Sequence, residues 1–529
     1  MKISQKYDVV TNYLFITGII AHLLLVVVLL TPRLIIKEPL SLYLERTANH
    51  LNHSGSSSKQ RYLGKTLLQY LPINDWNKIQ TNQNSLLNSL KTWQGQGASI
   101  KNVFSNQKYI NKIPVQPSIG GYSLDESRTK LVYTTQELLH AIKHIKAGYT
   151  IQLMAGEYDI KQRYIPITTG GHEDAPIVIR ATQLGQVKIN LTSSEGFHIK
   201  APYWVFENLE IQGQCKKNKH GYCDHAFHVV GNGHSFVLRN NIITDFNASV
   251  KVNGSYINGK PVYPNYGLLE KNSIYNTTVR HTNSPVNLIN INSANHWVVR
   301  GNLISDFAKK SGSNRVSFGA YMKGNSHYGL FENNLVICEH TIAADLGTRI
   351  GLSFGGGGTG ARFCRDKDCT NEHSNGIMRN NIILNCSHDV GIYLNKAKNT
   401  EIYNNLVFNS LGIDIRFSSS SANISNNIIS GRIKARDNAS YTEQNNIIDL
   451  DCISPSRDFY GCSFMDWYWG IINADLELRQ EVKPILKKGL QAKNLKTDFC
   501  NNPRLNSVDI GPIQYSNHLI CSPDRIYKK

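Results

Sequence analysis

Four side chains that can transfer protons or bind anions occupy matching places in a repeated pattern of this sequence: Lys323, Tyr393, Arg416 and His228. β-Elimination on a uronate requires a base for the C5 proton, an acid for the leaving oxygen and a cation beside the carboxylate. Lys323 or His228 can serve as the base, and Tyr393 as the base or the acid. Arg416, held by Asp414, can bind the carboxylate. We therefore predict a catalytic role for these four residues.

The positions of these residues follow from counting back 10 or 11 residues from a recurrent asparagine, which generates two columns of outward side chains. Lys323 and the arginines of the columns are suited to pairing with uronate carboxylates, and the tyrosines to stacking on sugar rings. Outward columns also carry polar residues simply because they face water. Aromatic and ionisable groups in both columns nevertheless favour a groove for a linear polymer. The predicted substrate-binding residues are Tyr321, Asn290, Asn292, Asn395, Asp414, Lys434 and Arg436.

The recurrent asparagine is the strongest pattern in the chain. It precedes apolar residues at spacings of 19 to 47 residues, which is typical of stacked supersecondary units with inserted loops. Its amide can bond to the asparagines above and below, and asparagine tolerates left-handed backbone geometry. The repeats begin at Asn208, Asn241, Asn272, Asn302, Asn334, Asn381, Asn405, Asn427 and Asn446.

Alternating strands precede several of these asparagines, and their apolar members should point into the core. The expected inward pairs are Ala320/Met322, Leu352/Phe354, Ile392/Leu394 and Ile413/Ile415. An amphipathic helix is predicted over 135–142 with Thr135 as its N-cap, followed by a strand and a turn at Gly156. Near the other end, Asp509-Ile510-Gly511-Pro512-Ile513-Gln514-Tyr515 reads as a closing strand.

The helical cap, the asparagine repeats and the closing segment together resemble the right-handed parallel β-helix (pectin-lyase-like) superfamily over about residues 131–515. The resemblance implies an all-β solenoid with a helical N-cap. It also implies an enzyme related to polysaccharide lyases or uronate C5-epimerases. The lysine and arginine segments of alginate and chondroitin lyases do not occur here as such, and fold alone does not fix function.

An uncharged segment, Tyr13–Leu30, is long enough to cross a bilayer as a helix. The expected organisation is a cytoplasmic N-terminus (1–12), a single transmembrane anchor (13–31), a polar spacer (32–130) and the β-helix domain (131–529). All ten cysteines follow the anchor, which favours disulfides in an oxidising compartment. We therefore expect an inner-membrane protein with its bulk in the periplasm. The expected pairs are Cys215–Cys223, Cys364–Cys369, Cys452–Cys462, Cys500–Cys521 and Cys338–Cys386.

The net charge of +18 favours a polyanionic partner. In the periplasm an acidic polysaccharide fits better than nucleic acid. The glycine run 355–360 lacks the ending of a phosphate loop, so we interpret it as room for a ligand beside the groove. No cofactor and no metal site are predicted, although Asp366 and Asp368 are possible calcium ligands.

Three functions are compatible with these patterns. The favoured one is a lyase or epimerase acting on an acidic, uronate-containing polysaccharide. A glycoside hydrolase would use two carboxylates across the groove, Asp414 with Asp389 or Glu339. A non-catalytic protein would bind polysaccharide or assist envelope assembly. Unsaturated ends, reducing ends or binding without product would separate these hypotheses.

Overall fold

The computed structural model describes residues 126–215, 223–310, 315–342, 347–356, 359–492, 495–504 and 506–515. The predicted N-terminus, anchor and spacer up to residue 125 lie outside these ranges, as does Cys521. Within them, no helix is both long and apolar enough to cross a membrane.

Short strands make up most of the described chain. In chain order they are β1 (Thr129–Val132), β2 (Thr150–Leu153), β3 (Gly156–Ile160), β4 (Ile165–Ile167), β5 (Ile177–Ala181), β6 (Val187–Leu191), β7 (Phe197–Ile199), β8 (Trp204–Glu207), β9 (Glu210–Gly213), β10 (His225–Val230), β11 (Val237–Arg239), β12 (Ile242–Thr244), β13 (Ala248–Asn253), β14 (Ser255–Ile257), β15 (Lys260–Val262), β16 (Leu268–Glu270), β17 (Ser273–Tyr275), β18 (Val286–Asn292), β19 (Val298–Arg300) and β20 (Leu303–Ser305). They continue as β21 (Val316–Lys323), β22 (Ser326–His327), β23 (Leu330–Glu332), β24 (Leu335–Ile337), β25 (Thr348–Phe354), β26 (His373–Ser374), β27 (Ile377–Arg379), β28 (Ile382–Cys386), β29 (Ile392–Asn395), β30 (Ala397–Lys398), β31 (Thr400–Tyr403), β32 (Leu406–Ser410), β33 (Gly412–Arg416), β34 (Ser421–Ser425), β35 (Ile428–Ser430), β36 (Arg432–Arg436), β37 (Ser440–Gln444), β38 (Ile447–Asp449), β39 (Tyr468–Gly470) and β40 (Asp475–Leu478).

Three parallel sheets account for most of these strands in the described ranges, and the chain visits them in turn. Sheet I has the order β4-β7-β10-β13-β18-β21-β25-β29-β33-β36, sheet II β1-β2-β5-β8-β11-β16-β19-β23-β27-β31-β34-β37, and sheet III β3-β6-β9-β12-β17-β20-β24-β28-β32-β35-β38. One coil, for example, runs β10, β11 and β12 before β13 pairs in parallel with β10. The fold is therefore a right-handed parallel β-helix, with the handedness that parallel crossovers adopt.

Apolar side chains that alternate along each strand fill the space between the sheets. The predicted inward pairs on β21, β25, β29 and β33 are all completely buried in the main core. Burial of apolar surface contributes roughly 25 cal/mol per Å², so each coil gains stability mainly by covering its neighbours.

An asparagine ladder joins the coils at the bend between sheets II and III. The Nδ2 of Asn272 donates to Oδ1 of Asn302 at 3.0 Å, and the backbone N–H of Asn272 donates to the same oxygen at 3.0 Å. The pattern repeats from Asn241 to Asn446 at amide distances of 2.9–3.1 Å. The ladder prediction is confirmed for these eight positions.

Two details of that prediction are wrong. Asn208 does not belong to the ladder, because Leu209 occupies the ladder position and donates its N–H to Asn241 Oδ1 at 3.0 Å. The left-handed residue is also the one before each ladder asparagine. Asn240 has φ of 54° and Asn404 has φ of 55°, and these residues form a separate column to which Asn208 belongs.

Arginine and glutamate alternate from coil to coil near the C-terminal ends of the sheet II strands. Arg239 NH2 lies 3.1 Å from Glu207 Oε2, and Arg300 NH2 lies 2.7 Å from Glu270 Oε2. Burial alone would raise the pKa of Glu270, but Arg300 and Arg239 lower it overall. Each buried charge thus has an opposite neighbour on an adjacent coil. The register aligns Arg180, Glu207, Arg239, Glu270, Arg300, Glu332 and Arg379.

Helix α1 (Thr135–His144) packs against the first strands through Leu138, Ala141 and Ile142. The predicted helix is therefore present, but its N-cap is Thr134, not Thr135, because Thr134 Oγ1 accepts the N–H of Glu137 at 3.2 Å. A second helix, α2 (Ser463–Trp467), packs over sheet III. Single 3-10 turns occupy Glu126–Arg128, Ala361–Phe363, Leu450–Cys452 and Ile471–Asn473.

The segment 509–515 closes the described chain without forming the predicted strand. It lies against the bend beside the ladder, where Gly511 donates its N–H to Asn426 O at 2.8 Å. Asn404 Nδ2 donates to Gly511 O at 3.0 Å. Both bonds involve the left-handed asparagine column, so backbone and side-chain groups at the bend hold the segment, and it does not add to a sheet edge.

Disulfides join four of the predicted cysteine pairs: Cys215–Cys223, Cys338–Cys386, Cys364–Cys369 and Cys452–Cys462. Cys338 and Cys386 lie on consecutive coils, whereas the other three pairs close short loops. The pairing of Cys500 with Cys521 lies outside the described residues and stays a prediction.

We expect Asn302→Ala to lower the free energy of unfolding by about 3 kcal/mol, because it leaves buried partners on two coils without hydrogen bonds. Those partners include the N–H of Asn272 and the carbonyl of Leu269. Urea unfolding measures the loss. Asn423→Ala, at an exposed position on β34, is the control and should change stability by less than about 0.5 kcal/mol. Equal effects of the two substitutions would contradict a stabilising role for the ladder.

Candidate active site

The outward face of sheet I carries two columns of mainly polar side chains. The strand register places His228, Lys251, Asn290, Tyr321, Ser353, Tyr393, Asp414 and Lys434 in the first column. The second contains Asn253, Asn292, Lys323, Asn395, Arg416 and Arg436. Every predicted site residue therefore lies on this one face, in the column to which the sequence pattern assigned it.

Lys251 and Asn253 on β13 are missing from the predicted columns. The hairpin β14–β15 lengthens the coil after β13, so counting back 11 residues from Asn272 reaches Pro261 instead. The alternation Val250-Lys251-Val252-Asn253 could have identified this strand from the sequence, because its valines are buried and Lys251 points outward.

Lys251 has the most perturbed amine of the face. Its Nζ donates to Asn290 Oδ1 at 3.0 Å, and no carboxylate in the described part of the chain forms an ion pair with it. Burial, with the nearby Lys323 ammonium, lowers the pKa of Lys251 from 10.5 to about 7. A substantial fraction of this amine is therefore neutral at neutral pH and able to accept a proton.

Lys323 lies two strands farther along, on β21. Its Nζ is 4.8 Å from the centre of the Tyr321 ring. Burial lowers its pKa, but the Glu372 carboxylate opposes that shift. Glu372 is itself held by the N–H of Gly356 at 3.2 Å and the hydroxyl of Thr359 at 3.0 Å.

The glycines beside Lys323 serve close packing within the chain. A Cβ on Gly356 would lie 3.0 Å from Lys323 Cδ, and one on Gly355 would clash with the Asn395 carbonyl. The space that we attributed to a ligand at these two positions is therefore filled by the chain's own atoms.

Both arginines of the second column are already paired with carboxylates. Arg436 makes a two-pronged contact with Asp414, with Nε and NH2 at 2.9 and 2.7 Å from Oδ2. Arg416 Nε donates to Asp437 Oδ2 at 2.6 Å. The prediction that Asp414 holds Arg416 is therefore wrong, because the Asp414 carboxylate is hydrogen-bonded to Arg436 on the next coil. Lys434 is exposed.

The two column tyrosines are buried, with 4% of Tyr321 and 8% of Tyr393 exposed. Asn287 Nδ2 donates to the Tyr321 hydroxyl at 3.0 Å, and Asn395 Nδ2 donates to that of Tyr393 at 2.8 Å. Phe318, Ile350 and Val390 pack beside these rings. These apolar neighbours cover much of the ring surface that we expected to stack on sugars.

His228 marks the N-terminal end of the predicted columns. Its Nε2 is 2.8 Å from Asn253 Oδ1, and its Nδ1 is 3.2 Å from Glu195 Oε2. The His198 ring stacks on it at 5.0 Å. Burial, with His228 and Lys200 nearby, lowers the pKa of His198 to about 4.

The disulfide loop around Cys364–Cys369 packs against the bend that follows the second column. Arg365 NH1 donates to Asn265 Oδ1 and to the Ser293 carbonyl, both at 2.9 Å, and its guanidinium covers the Tyr263 ring. The two aspartates of this loop that were considered as calcium ligands form hydrogen bonds within the loop. Asp366 Oδ1 accepts the N–H groups of Asp368 and Cys369 at 3.0 Å.

The carboxylates considered for hydrolysis separate into two places. Glu339 pairs with Arg349 and lies 3.3 Å from His388 Nδ1, at the bend between sheets III and I. Burial raises the pKa of Asp389, and Asp414 raises it further. Asp389 and Asp414 thus interact electrostatically, whereas Glu339 is paired with Arg349.

No protein-family model matches the sequence, and no curated protein matches it either. Solved structures are similar at low identity. A pectate lyase (Pel9A) is 13% identical, with 73% of this chain and 97% of that chain covered at a TM-score of 0.41. A PL6 family polysaccharide lyase from Pseudopedobacter saltans is 16% identical, with coverage of 68% and 98% at a TM-score of 0.34.

A GH87 α-1,3-glucanase from Streptomyces thermodiastaticus is also similar, at 10% identity, coverage of 60% and 65%, and a TM-score of 0.33. These similarities do not identify a reaction for the present chain. The parallel sheets and their register identify the fold by themselves.

We predict that Lys251→Met stabilises the protein at pH 7. The unfolded chain keeps the lysine proton up to about pH 10.5, whereas the folded chain releases it near pH 7. The unfolded state thus binds more protons between these values, so wild-type stability rises with pH across that window. The advantage of Lys251→Met should be largest at or below pH 7 and shrink towards pH 10.

Urea unfolding at pH 7 and pH 10 measures this difference, with Lys398→Met at an exposed position as the control. A Lys251→Met effect that does not vary with pH would contradict a partly buried Lys251 ammonium that destabilises the fold.

Proposed function

We propose that this face binds an acidic, uronate-containing polysaccharide and cleaves it by β-elimination, with Lys251 as the base. The observation that carries the proposal is a pair of partly buried lysines on one face, and among the described residues only Lys323 of the two has a carboxylate nearby. A polyanion is the ligand that best compensates two such amines.

The two lysines suit different parts of the reaction. Lys251 and Lys323 lie two strands apart, which corresponds to about 10 Å along the sheet. The neutral Lys251 amine removes the C5 proton, and the Lys323 ammonium stabilises the negative charge that develops on the uronate carboxylate. The C4–oxygen bond then breaks, a C4–C5 double bond forms, and the new Lys251 ammonium returns its proton to the leaving oxygen.

Tyr393 and Arg416 belong to a different part of the groove in this proposal. Tyr393 is four strands from Lys251, about 19 Å along the sheet, too far to act on the same sugar. We assign Arg416, whose side chain is 36% exposed, to binding of a neighbouring sugar. C5-epimerisation would use the same base but needs a proton donor on the opposite face of the ring, so elimination is the favoured reaction.

A periplasmic location and an N-terminal membrane anchor complete the proposal. Four disulfides in the described chain are compatible with an oxidising compartment. The proposal of a membrane anchor rests on the uncharged Tyr13–Leu30 segment alone.

Hydrolysis is the second candidate, supported by the interacting carboxyl groups of Asp389 and Asp414. A carboxyl group with a raised pKa is suited to donating a proton to a leaving glycosidic oxygen. The Arg436 pairing of Asp414 reduces its availability as base or nucleophile. Non-catalytic binding needs only the basic groove.

The test is to incubate the purified full-length chain with alginate, pectate, hyaluronan and chondroitin, and to follow the ultraviolet absorbance of unsaturated uronate. We expect a rise on at least one polymer. Lys251→Ala should reduce the rate by about 100-fold or more, and Lys323→Ala should also reduce it. Lys398→Ala is the matched exposed control and should keep the rate.

The other outcomes would change either the assigned base or the proposed function. Full activity in Lys251→Ala would contradict the assignment of the base. Reducing ends without double bonds, lost in Asp389→Asn, would establish hydrolysis. Changed C5 configuration by NMR without cleavage would establish epimerisation, and binding without any product would leave a binding protein.

A further inference from the structure

Two histidines and one glutamate converge near the N-terminal end of the outward face of sheet I. His198 on β7 and His228 on β10 are register partners on consecutive coils, and their rings are stacked within 7° of parallel. Glu195 lies at the bend before β7. Its Oε2 is 3.2 Å from His228 Nδ1 and 3.7 Å from His198 Nδ1.

The hydrogen bonds around His228 leave two acceptors facing each other. Asn253 Nδ2 donates to the Gly254 carbonyl at 3.0 Å, so its Oδ1 faces His228 Nε2 at 2.8 Å and accepts the proton there. In a neutral ring, Nδ1 then carries a lone pair and points at a carboxylate oxygen. Such a contact requires a cation between the two atoms.

A single proton does not satisfy the whole cluster. It would join His228 to Glu195, but His198 Nδ1 is buried and has no hydrogen-bond partner among the described residues. One donor atom from each of the three residues lies within 4.8 Å of the others. A metal ion would contact all three atoms at once, whereas a proton can bridge only two.

We propose that Glu195, His198 and His228 bind one divalent first-row transition-metal ion. Two imidazole nitrogens and one carboxylate oxygen are suited to zinc and its neighbours, whereas calcium prefers oxygen ligands. Asn253 orients the His228 ring by accepting a hydrogen bond from its Nε2. With three protein ligands, a fourth position stays open to water or another ligand.

The other cluster of possible ligand atoms in the described chain does not compete for this assignment. It consists of Asp449 with Cys452 and Cys462, whose sulfurs form a disulfide and are not available as thiolates. The Glu195–His198–His228 site is partly open, because 14% of the His198 side chain and 31% of that of Glu195 are exposed. Solution metal can therefore reach it.

The test is titration of the chelator-stripped full-length protein with Zn²⁺ against a chromophoric chelator, with Co²⁺ absorption as a second measurement. We expect one equivalent to bind, with visible Co²⁺ bands typical of nitrogen and oxygen ligands. Asn253→Ala should weaken Zn²⁺ binding by roughly 10- to 100-fold. His228→Ala, His198→Ala and the isosteric Glu195→Gln should weaken it at least as much.

His172→Ala, at an exposed position, is the control and should retain wild-type affinity. Glu195→Gln and unchanged circular dichroism guard against loss of binding through misfolding. Unaltered Zn²⁺ affinity in His228→Ala, absence of tight binding in the wild type, or equal competition by Ca²⁺ would each overturn the proposal. None of these measurements depends on whether the groove cleaves a polysaccharide.

Discussion

The hydrogen bond from each ladder asparagine to the next is the constraint on which the rest of this structure depends. It joins consecutive coils at one bend, with amide distances of 2.9–3.1 Å from Asn241 to Asn446. Because side chains alternate with a period of two, a slip of one residue between coils would exchange core and surface positions. The ladder therefore keeps the apolar pairs inside and holds the two polar columns of sheet I in line.

The outer faces of sheets I and II carry charge in opposite arrangements. On sheet II, arginine and glutamate alternate from coil to coil, so each buried charge is neutralised by its neighbours. On sheet I, Lys251 and Lys323 lie two coils apart with an asparagine coil between them. The first arrangement stabilises the stack. The second is unfavourable for stability without an anion, which is typical of a binding or catalytic surface.

Much of the fold was predictable because its determinants are local or repeat at a fixed offset. The ladder and the inward pairs follow from spacing, and the disulfides that close short loops join cysteines that are near in sequence. Lys251 was missed because the β14–β15 hairpin changes the spacing in that coil. The partner of Arg416 was misassigned because the choice between Asp414 and Asp437 depends on side-chain reach across coils. The Glu195 cluster was missed because its residues come from one bend and from strands of two consecutive coils, which are 30 residues apart in sequence at His198 and His228.

The central claim is that Lys251 and Lys323 together face a bound polyuronate. Competitive acetylation of the full-length protein with acetic anhydride, read by mass spectrometry, tests it directly. At least one of alginate, pectate, hyaluronan and chondroitin should slow acetylation of both lysines, whereas neutral dextran should not. Lys398, exposed at the bend beyond β29, should react equally in all samples. Unchanged acetylation of Lys251 and Lys323 with every acidic polymer would contradict the account.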